Sequence, residues 1–159
     1  MIHRLAPAIV LQPADPLSPP ARACIEAYYA ELDRRFPNGF DPGAFHPQVE
    51  EKMTPPKGLF LVAWRKDQPV GCGGLAPLDG RCGEVKRVWV AEAARGMGLA
   101  RRLMAALEDA ARDAGHSMLR LDTNETLTEA HALYAALGYH EIAAYNDNPY
   151  AGKWFEKTL

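Results

Sequence analysis

The chain has few of the features on which disulfide frameworks, metal sites and membrane spans depend. Its three cysteines in 159 residues show no Cys-x-x-Cys spacing and cannot all pair, so we expect reduced thiols in a cytoplasmic protein. Its five histidines form no clustered set and no His-Glu-x-x-His motif, so no metal site is predicted. No apolar run approaches the roughly 18 residues of a membrane span, and the N-terminus shows no export signal. We therefore expect no membrane partner.

The chain also lacks an excess of positive charge. It carries 18 Lys and Arg against 20 Asp and Glu, which gives a net charge of −2. A domain that binds nucleic acid usually shows a strong basic excess, so no nucleic-acid partner is predicted. With 48% apolar and 24% charged residues, the composition is that of an ordinary globular chain. Its length fits one domain, and we interpret residues 1–159 as a single unit.

What the sequence does contain is a sharp change of periodicity in residues 87–103. Strand-forming residues end at Val90, and Leu99 begins a helical repeat after the sequence Arg-Gly-Met-Gly at 95–98. Glycine lets a backbone come close to a ligand, and a helix N-terminus offers unpaired N–H groups with partial positive charge. This arrangement predicts a phosphate or pyrophosphate site, with a glycine-softened turn as the alternative. Residues 84–102 also hold five bases against two acids, which suits a polyanionic ligand.

A dinucleotide-binding loop is the main rival interpretation of this stretch. Asp122 ends a later strand at about the distance at which a ribose-binding acid would lie. The third glycine of that fingerprint is missing, however, because Ala100 and Arg101 stand where it would be. The motif also lies past mid-chain, with room for one β-α-β unit. A nucleotide-dependent oxidoreductase therefore stays open as an alternative.

Periodicity and turn residues predict the remaining elements. The predicted strands are 8–11, 58–64, 69–75, 82–90, 118–122, 141–145 and 151–159, and the predicted helices are 19–35, 98–114 and 128–137. A helical crossover joins the fourth and fifth strands, so these two run parallel. We expect Ser18 to cap the first helix, and Glu108 and Arg112 to form a surface ion pair on the second. Residues 36–57, rich in proline and glycine, are read either as a binding loop or as a mobile surface segment.

Two motifs in this order carry a resemblance. Arg-Gly-Met-Gly-Leu-Ala at 95–100 opens an amphipathic helix, and Ala-His-Ala-Leu-Tyr-Ala-Ala-Leu-Gly-Tyr at 130–139 ends the last one. Together they resemble the GNAT superfamily of acyl-CoA-dependent N-acetyltransferases, most clearly from Glu84 to Tyr139. The resemblance implies an α/β (α+β) fold with a mixed central sheet. That sheet would be mostly antiparallel with one splayed parallel strand pair, flanked by about four helices.

The resemblance implies that acetyl-CoA is the cofactor and that backbone amides of the glycine loop hold its pyrophosphate. The implied coenzyme A contacts are Val88, Trp89, Val90, Arg95, Gly96, Met97, Gly98, Leu99, Ala100, Arg101, Asn124 and Tyr134. The chain departs from the family at Leu127, where many members have an asparagine that contacts the pantetheine arm. Either Asn124 takes over this contact from a different loop geometry, or the contact is apolar.

For catalysis the resemblance implies an acid and a base. Tyr134 occupies the family's tyrosine position, and a phenol with a pKa of about 10 is protonated at neutral pH and can protonate a leaving thiolate. Glu84 is the candidate base, which draws a proton from the amine, often through water. Strand alternation places Glu84 on one face with Lys86, Val88 and Val90. The alternatives are an ordinary half-buried aromatic for Tyr134 and an acid paired with a neighbouring base for Glu84.

In GNAT-like folds the loop after the first helix and the final strands flank the acceptor. The implied substrate contacts are Tyr28, Phe40, Tyr145, Asn146, Tyr150 and Trp154. Core packing is the alternative for the four residues of the tail, and it is favoured for Trp154. The implied function is transfer of an acetyl group from acetyl-CoA to a primary amine of a small molecule, directly within a ternary complex. A non-catalytic acyl-CoA-binding sensor or interaction domain is the alternative. A homodimer is left open, because dimers are common among proteins of this kind.

Overall fold

The structure is a computed structural model that describes residues 8–44 and 49–159. Within these residues, seven strands form one sheet and three α-helices pack on it. The strands are β1 (Ile9–Pro13), β2 (Leu59–Arg65), β3 (Gln68–Asp79), β4 (Cys82–Val90), β5 (Met118–Thr123), β6 (His140–Ile142) and β7 (Lys153–Thr158); the helices are α1 (Pro19–Arg35), α2 (Leu99–Asp113) and α3 (Thr128–Ala136). The sheet order is β1-β2-β3-β4-β5-β7-β6, and its neighbours are antiparallel except β4 and β5.

This mixed sheet confirms the predicted fold class, and the helix count is lower than predicted. About four helices were expected, and the part of the chain described here has three α-helices. Residues 45–48 lie outside the described residues, and the rest of the 36–57 loop contains only short 3₁₀ turns at Pro42–Ala44 and Val49–Lys52. Proline lacks a backbone N–H and ends helices, so this proline-rich segment does not add one.

The described residues give no sign of a metal centre or a membrane span. They contain no group of three or more His, Cys, Asp or Glu side chains placed to hold a metal ion. His3 and His46 lie outside the described residues. No described helix has the length and apolar character needed to cross a bilayer. The three cysteines, Cys24, Cys72 and Cys82, are buried free thiols.

Helix α1 begins at Pro19 as predicted, but without the predicted side-chain cap. Ser18 holds the N-cap position in an extended conformation, and its hydroxyl donates to the carbonyl of Asp15 at 2.6 Å. The first two helical positions are prolines. Because Pro20 has no N–H, one of the usual donors to a capping side chain is missing. The prolines therefore start the helix by fixing the backbone.

Helix α2 turns its leucines to the sheet, as its periodicity predicted. Its buried leucines are Leu99, Leu103 and Leu107. Glu108, which was predicted to lie on the surface, is only 7% exposed. Its carboxylate accepts hydrogen bonds from the Nζ of Lys157 at 2.8 Å and from the hydroxyl of Tyr139 at 3.2 Å. The predicted ion pair with Arg112 is therefore wrong, because Glu108 is buried and bound to partners from β7 and from the turn between α3 and β6.

The sheet separates two apolar clusters. On one face, α2 and α3 bury a cluster that contains Leu107, Leu121 and Tyr134, called here the α2 cluster. On the other face, α1 buries a smaller cluster around Phe60 and Cys72, called the α1 cluster. An opening in the sheet between these faces can therefore be reached from both sides.

Such an opening lies between β4 and β5. Their parallel pairing covers three residues on each strand and ends at Glu84 and Arg120. Beyond this point β4 stays paired with β3 as far as Val90, and β5 stays paired with β7 as far as Thr123. The two facing edges consequently diverge, which is the splayed parallel pair that the resemblance implied. Backbone groups on these edges are left available to a ligand.

A β-bulge in β4 reverses the side-chain alternation beside this gap. Lys86 lies opposite Gly74, and Trp89 lies opposite Cys72, so β4 has one residue more than β3 between these pairs. Arg87, inside the bulge, has a left-handed φ of +61°. Side chains before and after the bulge therefore follow different face patterns.

The bulge overturns the predicted common face of β4. Val85 and Val88 both pack on the α2 cluster although they are three residues apart. Val90 also packs there. Glu84 and Lys86 alternate with Val85 and so point toward the α1 side. The prediction that Glu84, Lys86, Val88 and Val90 share one face is therefore wrong, because the extra residue shifts the alternation.

The last two strands are shorter than predicted. Strand β6 ends at Ile142, and β7 begins at Lys153. Between them, amide side chains fold the chain into turns: Asn146 accepts from the N–H of Asn148 at 3.3 Å, and Asn148 accepts from the N–H of Tyr150 at 3.0 Å. Such side-chain to backbone bonds compete with strand pairing. The tail consequently forms a turn-rich segment beside the gap.

Candidate active site

A cavity of about 160 Å³ occupies the gap between β4 and β5. Helix α1 contributes side chains from one face of the sheet, α3 from the other, and the tail closes one end. The predicted site residues that line this gap cavity are Tyr28, Phe40, Val88, Asn124, Tyr134 and Tyr150. Side chains from both faces of the sheet therefore line this cavity.

The loop before α2 presents a row of unused backbone donors. Gly96 and Gly98 have φ angles of +78° and +73°, which glycine adopts without strain. Within the described chain, none of the six amide N–H groups from Gly96 to Arg101 donates a hydrogen bond. Gly98 is the N-cap of α2, and no side chain caps it. Free amides at the positive end of a helix dipole form a site for phosphate or pyrophosphate.

A second, shallower cavity lies over this loop. The predicted cofactor residues that line it are Val90, Arg95, Gly96, Gly98, Leu99, Ala100 and Arg101. Leu133 of α3 forms its other side, which brings the loop cavity next to the helix that carries Tyr134. The two cavities together form a path from the loop amides toward the gap in the sheet.

Three predicted cofactor residues have other contacts. Trp89 packs against the α1 cluster, away from α2. Met97 is 46% exposed, and its sulfur lies 3.8 Å from the guanidinium of Arg65. Arg95 binds the carboxylate of Glu31 and donates to a main-chain carbonyl at 3.1 Å. The loop itself thus offers mainly backbone amides, and the full charge of Arg95 is already shared.

Tyr134 enters the gap cavity from α3. Its side chain is 8% exposed and lies between the rings of Tyr139 and Phe155, each at a centroid distance of 6.0 Å. Its hydroxyl has no hydrogen-bond partner among the residues described. Burial, together with the negative charges of Asp122 and Glu129, raises the pKa of Tyr134 to about 12. The phenol is therefore protonated at neutral pH and has a free proton to donate.

Asn124 lines the gap cavity, but its side chain is engaged elsewhere. Its Nδ2 donates to the carbonyl of Tyr150 at 2.5 Å. Its Oδ1 accepts from the N–H of Thr126 at 2.9 Å and from the hydroxyl of the same residue at 2.8 Å. Leu127, at the family's asparagine position, also lines the cavity. Asn124 therefore joins the β5–α3 loop to the tail. Leu127 makes the cavity wall next to it partly apolar.

Glu84 does not line the gap cavity. It is 7% exposed, and its two oxygens accept hydrogen bonds from the Nζ of Lys86 at 3.1 Å and from the hydroxyl of Tyr145 at 2.6 Å. Burial, with the adjacent carboxylate of Glu84, raises the pKa of Tyr145 well above that of an ordinary phenol. Glu84 is thus an ion-paired acid that holds its neighbours, and the geometry does not favour it as a direct base.

An aromatic wall forms one side of the gap cavity. It consists of Tyr29, Phe36, Phe40 and Tyr150. The ring of Phe40 lies 4.8 Å from that of Tyr150 and 5.3 Å from that of Tyr29, and Phe36 stacks on Tyr150 at 5.9 Å. Phe40 and Tyr150 were predicted, whereas Tyr29 and Phe36 were missed. Tyr28 lies nearby, and burial raises the pKa of its phenol.

Three predicted substrate residues lie behind the cavity surface. Tyr145, Asn146 and Trp154 do not line it. The Nε1 of Trp154 donates to Asn146 at 2.9 Å, and the Nδ2 of Asn146 donates to the carboxylate of Asp122 at 2.7 Å. Their prediction as direct contacts is therefore not supported. Asn146 and Trp154 instead orient Asp122, which does line the cavity.

Several residues that line the cavity were not predicted from the sequence. They include Arg35, Lys86, Arg87, Asp122 and Asn148. Asp122 had been considered only as a ribose-binding acid, and its place at the end of a strand beside the splayed pair is the signal that could have identified it. Arg35 and Arg87 gave no such signal, because each pairs with an acid from a distant part of the chain, Glu129 and Glu50 respectively.

Comparisons with known proteins agree with this geometry. The sequence model of the "Acetyltransferase (GNAT) family" matches residues 25–139. The chain is 36% identical over 121 residues to the IAA acetyltransferase of Azospirillum brasilense, covering 76% of this chain and 79% of that protein. It is 29% identical over 113 residues to the uncharacterized N-acetyltransferase YsnE of Bacillus subtilis, covering 68% and 75%.

Solved structures show the same fold. A Klebsiella pneumoniae protein provisionally described as an acyl-CoA N-acyltransferase has a TM-score of 0.75 at 27% identity, covering 95% of this chain and 97% of its own. A GNAT-family acetyltransferase of Staphylococcus aureus has a TM-score of 0.82 at 16% identity, covering 96% and 99%. The splayed strands, the free amides and these relatives lead to one conclusion: the chain belongs to the GNAT family of acetyltransferases, enzymes that use an acyl-CoA as co-substrate.

Proposed function

We propose that this enzyme transfers an acetyl group from acetyl-CoA to a primary amine of a small molecule, directly within a ternary complex. The supporting observation is the cavity between β4 and β5, which side chains from both faces of the sheet line. A cofactor that enters from the α2 and α3 face and an amine that enters from the α1 face would meet in this gap. Direct transfer needs both substrates present at once, and the two-sided opening suits that requirement.

The loop amides are the proposed site of the coenzyme A pyrophosphate. The six free N–H groups from Gly96 to Arg101 can donate hydrogen bonds to an anionic group, and the exposed side chains of Arg101 and Arg102 add positive charge. From there the pantetheine arm would follow the unpaired edge of β4 past Val90 and Val88, which face α2. Unpaired strand amides can donate hydrogen bonds to the arm and to the thioester oxygen.

Tyr134 is the proposed general acid. The amine nitrogen attacks the thioester carbonyl carbon, a C–N bond forms, and the C–S bond breaks. The departing sulfur takes a proton from the hydroxyl of Tyr134, and a proton leaving the nitrogen restores the phenol. With its pKa raised to about 12, Tyr134 holds this proton throughout the physiological pH range. Before the attack, the incoming ammonium loses one proton to solvent, because the nitrogen needs a free lone pair to form the new bond.

Glu84 has an indirect place in this proposal. Its carboxylate is held by Lys86 and Tyr145 and does not face the cavity, so any proton that it took from the amine would have to travel through water. Its observed contacts support a positioning role, because Lys86 itself lines the cavity. Removing Glu84 would leave the buried ammonium of Lys86 without its ion-pair partner.

Replacement of Tyr134 by phenylalanine tests the proposal against the alternative of a non-catalytic acyl-CoA sensor. We expect Tyr134→Phe to lower kcat with acetyl-CoA and an amine panel by at least about 100-fold, the usual contribution of a general acid. The affinity for coenzyme A, measured by calorimetry, should stay the same. Release of free thiol reports turnover.

Tyr139→Phe is the matched control. Tyr139 is a buried tyrosine whose ring lies 6.0 Å from that of Tyr134, but it does not line the gap cavity. This variant should keep its turnover. A wild-type protein that binds acetyl-CoA tightly yet releases no thiol with any amine would favour the sensor, and full activity in Tyr134→Phe would remove the phenol from the mechanism.

A further inference from the structure

Most charges that face the gap cavity are neutralised by a partner. The Nζ of Lys86 lies 3.1 Å from the carboxylate of Glu84. The Nη2 of Arg87 lies 3.1 Å from the carboxylate of Glu50, and its guanidinium also lies over the ring of Tyr29 at 5.4 Å. Both cations are therefore compensated before any substrate arrives.

The acids of α1 and α3 are compensated as well. Arg35 binds the carboxylates of both Glu31 and Glu129. Arg95 also binds Glu31. These two acids thus face two guanidinium groups, and this corner of the cavity has no net charge.

Asp122 is the exception. Across residues 8–44 and 49–159 it forms no ion pair. Its carboxylate accepts only amide hydrogen bonds, from Asn146 at 2.7 Å and from Asn148 at 3.4 Å. A carboxylate has about four acceptor positions, so two remain for a ligand. The cavity wall therefore carries one negative charge that is held in place and left unneutralised.

Asp122 is also well placed for the acceptor. It lies on β5 beyond the last residue paired with β4, and it alternates with Leu121 and Thr123, which are buried. Its side chain therefore points to the α1 side of the sheet. Asn148 joins it to the aromatic wall, because the same amide accepts a hydrogen bond from the N–H of Tyr150 at 3.0 Å.

We infer that Asp122 binds the ammonium group of the acceptor, and that the acceptor is a monoamine with an aromatic or apolar body and no carboxylate. This inference rests on the proposed acetyl transfer to an amine. The ammonium group would pair with Asp122, the uncompensated acid among the described residues that line the cavity. The aromatic wall would pack its ring faces against the body of the molecule. A carboxylate on the acceptor would be repelled by Asp122 and would find the charges of Lys86 and Arg87 already compensated by Glu84 and Glu50, with only the Nε–H of Arg87 left without a hydrogen-bond partner.

Three commercial amines separate this class from others. 2-Phenylethylamine has one ammonium and an aromatic body. L-Phenylalanine adds only a carboxylate to the same skeleton, and 1,4-diaminobutane replaces the ring by a second ammonium. We expect kcat/KM for 2-phenylethylamine to exceed that for each of the others by about 100-fold, since a like charge or an unpaired second charge is costly in a confined site.

The variant Asp122→Asn tests the contact itself. The asparagine keeps the size and polarity of the side chain and removes its charge. We expect the KM for 2-phenylethylamine to rise by about 30-fold with a much smaller change in kcat, as expected for loss of a charge-assisted contact. The control Asp109→Asn removes an acid that is 78% exposed on α2 and should leave both constants unchanged.

Binding provides a readout that does not depend on turnover. Calorimetry with protein saturated with coenzyme A should detect 2-phenylethylamine binding to the wild type, and weaker binding to Asp122→Asn. If that variant does not fold, as judged by its thermal unfolding, the wild-type comparison of the three amines decides. Equal use of L-phenylalanine, or no binding of 2-phenylethylamine, would overturn the inference while acetyl transfer to other amines stood. Failure to bind acetyl-CoA would overturn the proposed function as well.

Discussion

At the scale of single residues, the backbone of Gly98 determines where the free amides of the loop point. Its φ of +73° is left-handed, and a Cβ added there would meet no atom within 4 Å. The constraint is therefore conformational and not steric. For a residue with a Cβ, this conformation costs about 1–2 kcal/mol. Gly98 thus allows the backbone conformation that orients the amides, and it also lets a ligand come close to them.

Substitution of Gly98 by alanine should therefore weaken coenzyme A binding. We expect an increase in Kd of about 10-fold, because relief of the strain turns some of the amides away from the pyrophosphate. Gly80→Ala is the matched control: Gly80 lies in the β3–β4 turn with φ of +53° and equally open surroundings. Both variants should lose similar stability in thermal unfolding, and calorimetry should show weaker binding only for Gly98→Ala. Equal Kd values for the two variants would show that the conformation of the loop does not matter for coenzyme A binding.

At the scale of elements, one polar cluster joins α2 to β7 and to the turn before β6. Glu108 receives hydrogen bonds from Lys157 of β7 at 2.8 Å and 3.0 Å, and Tyr139 adds another at 3.2 Å. The cluster lies in the C-terminal half of α2, away from the loop amides at the N-terminus of that helix. The cluster thus joins the helix that follows the first motif to Tyr139, the last residue of the second motif.

Glu108→Ala should be strongly destabilising. Removal of one partner leaves the ammonium of Lys157, whose side chain is 22% exposed, and the buried hydroxyl of Tyr139 without an acceptor. We expect the free energy of unfolding to fall by about 2–4 kcal/mol, measured by urea denaturation. Asp109→Ala, one position further, breaks an exposed ion pair with Arg112 at 3.2 Å and should cost less than about 1 kcal/mol. Similar losses for both variants would contradict the buried cluster.

At the scale of the whole molecule, the candidate site is assembled from elements on both faces of one sheet. The proposed cofactor side is built from β4, α2 and α3, and the proposed acceptor side from α1, the loop after it and the tail. A ligand in the gap would touch two of the seven strands, β4 and β5, together with α1, α3 and the tail. A ligand that binds only the folded state should therefore raise the stability of the whole chain.

Thermal unfolding with coenzyme A should show this linkage. At a concentration about 100 times Kd, the stabilisation is about 2.7 kcal/mol, which corresponds to a rise in Tm of about 5–11 °C for a chain of this size. NADH is the matched control, since it also carries an adenosine and a pyrophosphate. We expect a much smaller shift with NADH. A larger shift with NADH would restore the oxidoreductase interpretation of the glycine loop.

The sequence by itself determined the fold class, most of the helices and strands, and the glycine loop that is proposed to bind the cofactor. The helices that start at Pro19 and Leu99 and the glycine turn before Leu99 depend on neighbouring residues, so the sequence pattern reveals them. Tyr134 could be found in the same way, because its motif lies within one helix and its end.

Only the tertiary structure decided the acceptor side and the burial of charge. The bulge at Arg87 depends on pairing with β3, and it cancelled the predicted common face of β4. Glu108 is buried because residues about 30 and 50 positions later cover it. Asp122 lines the cavity, while Asn146 and Trp154 support it from behind. These facts depend on which distant segments meet, and the local sequence pattern carries no information on that.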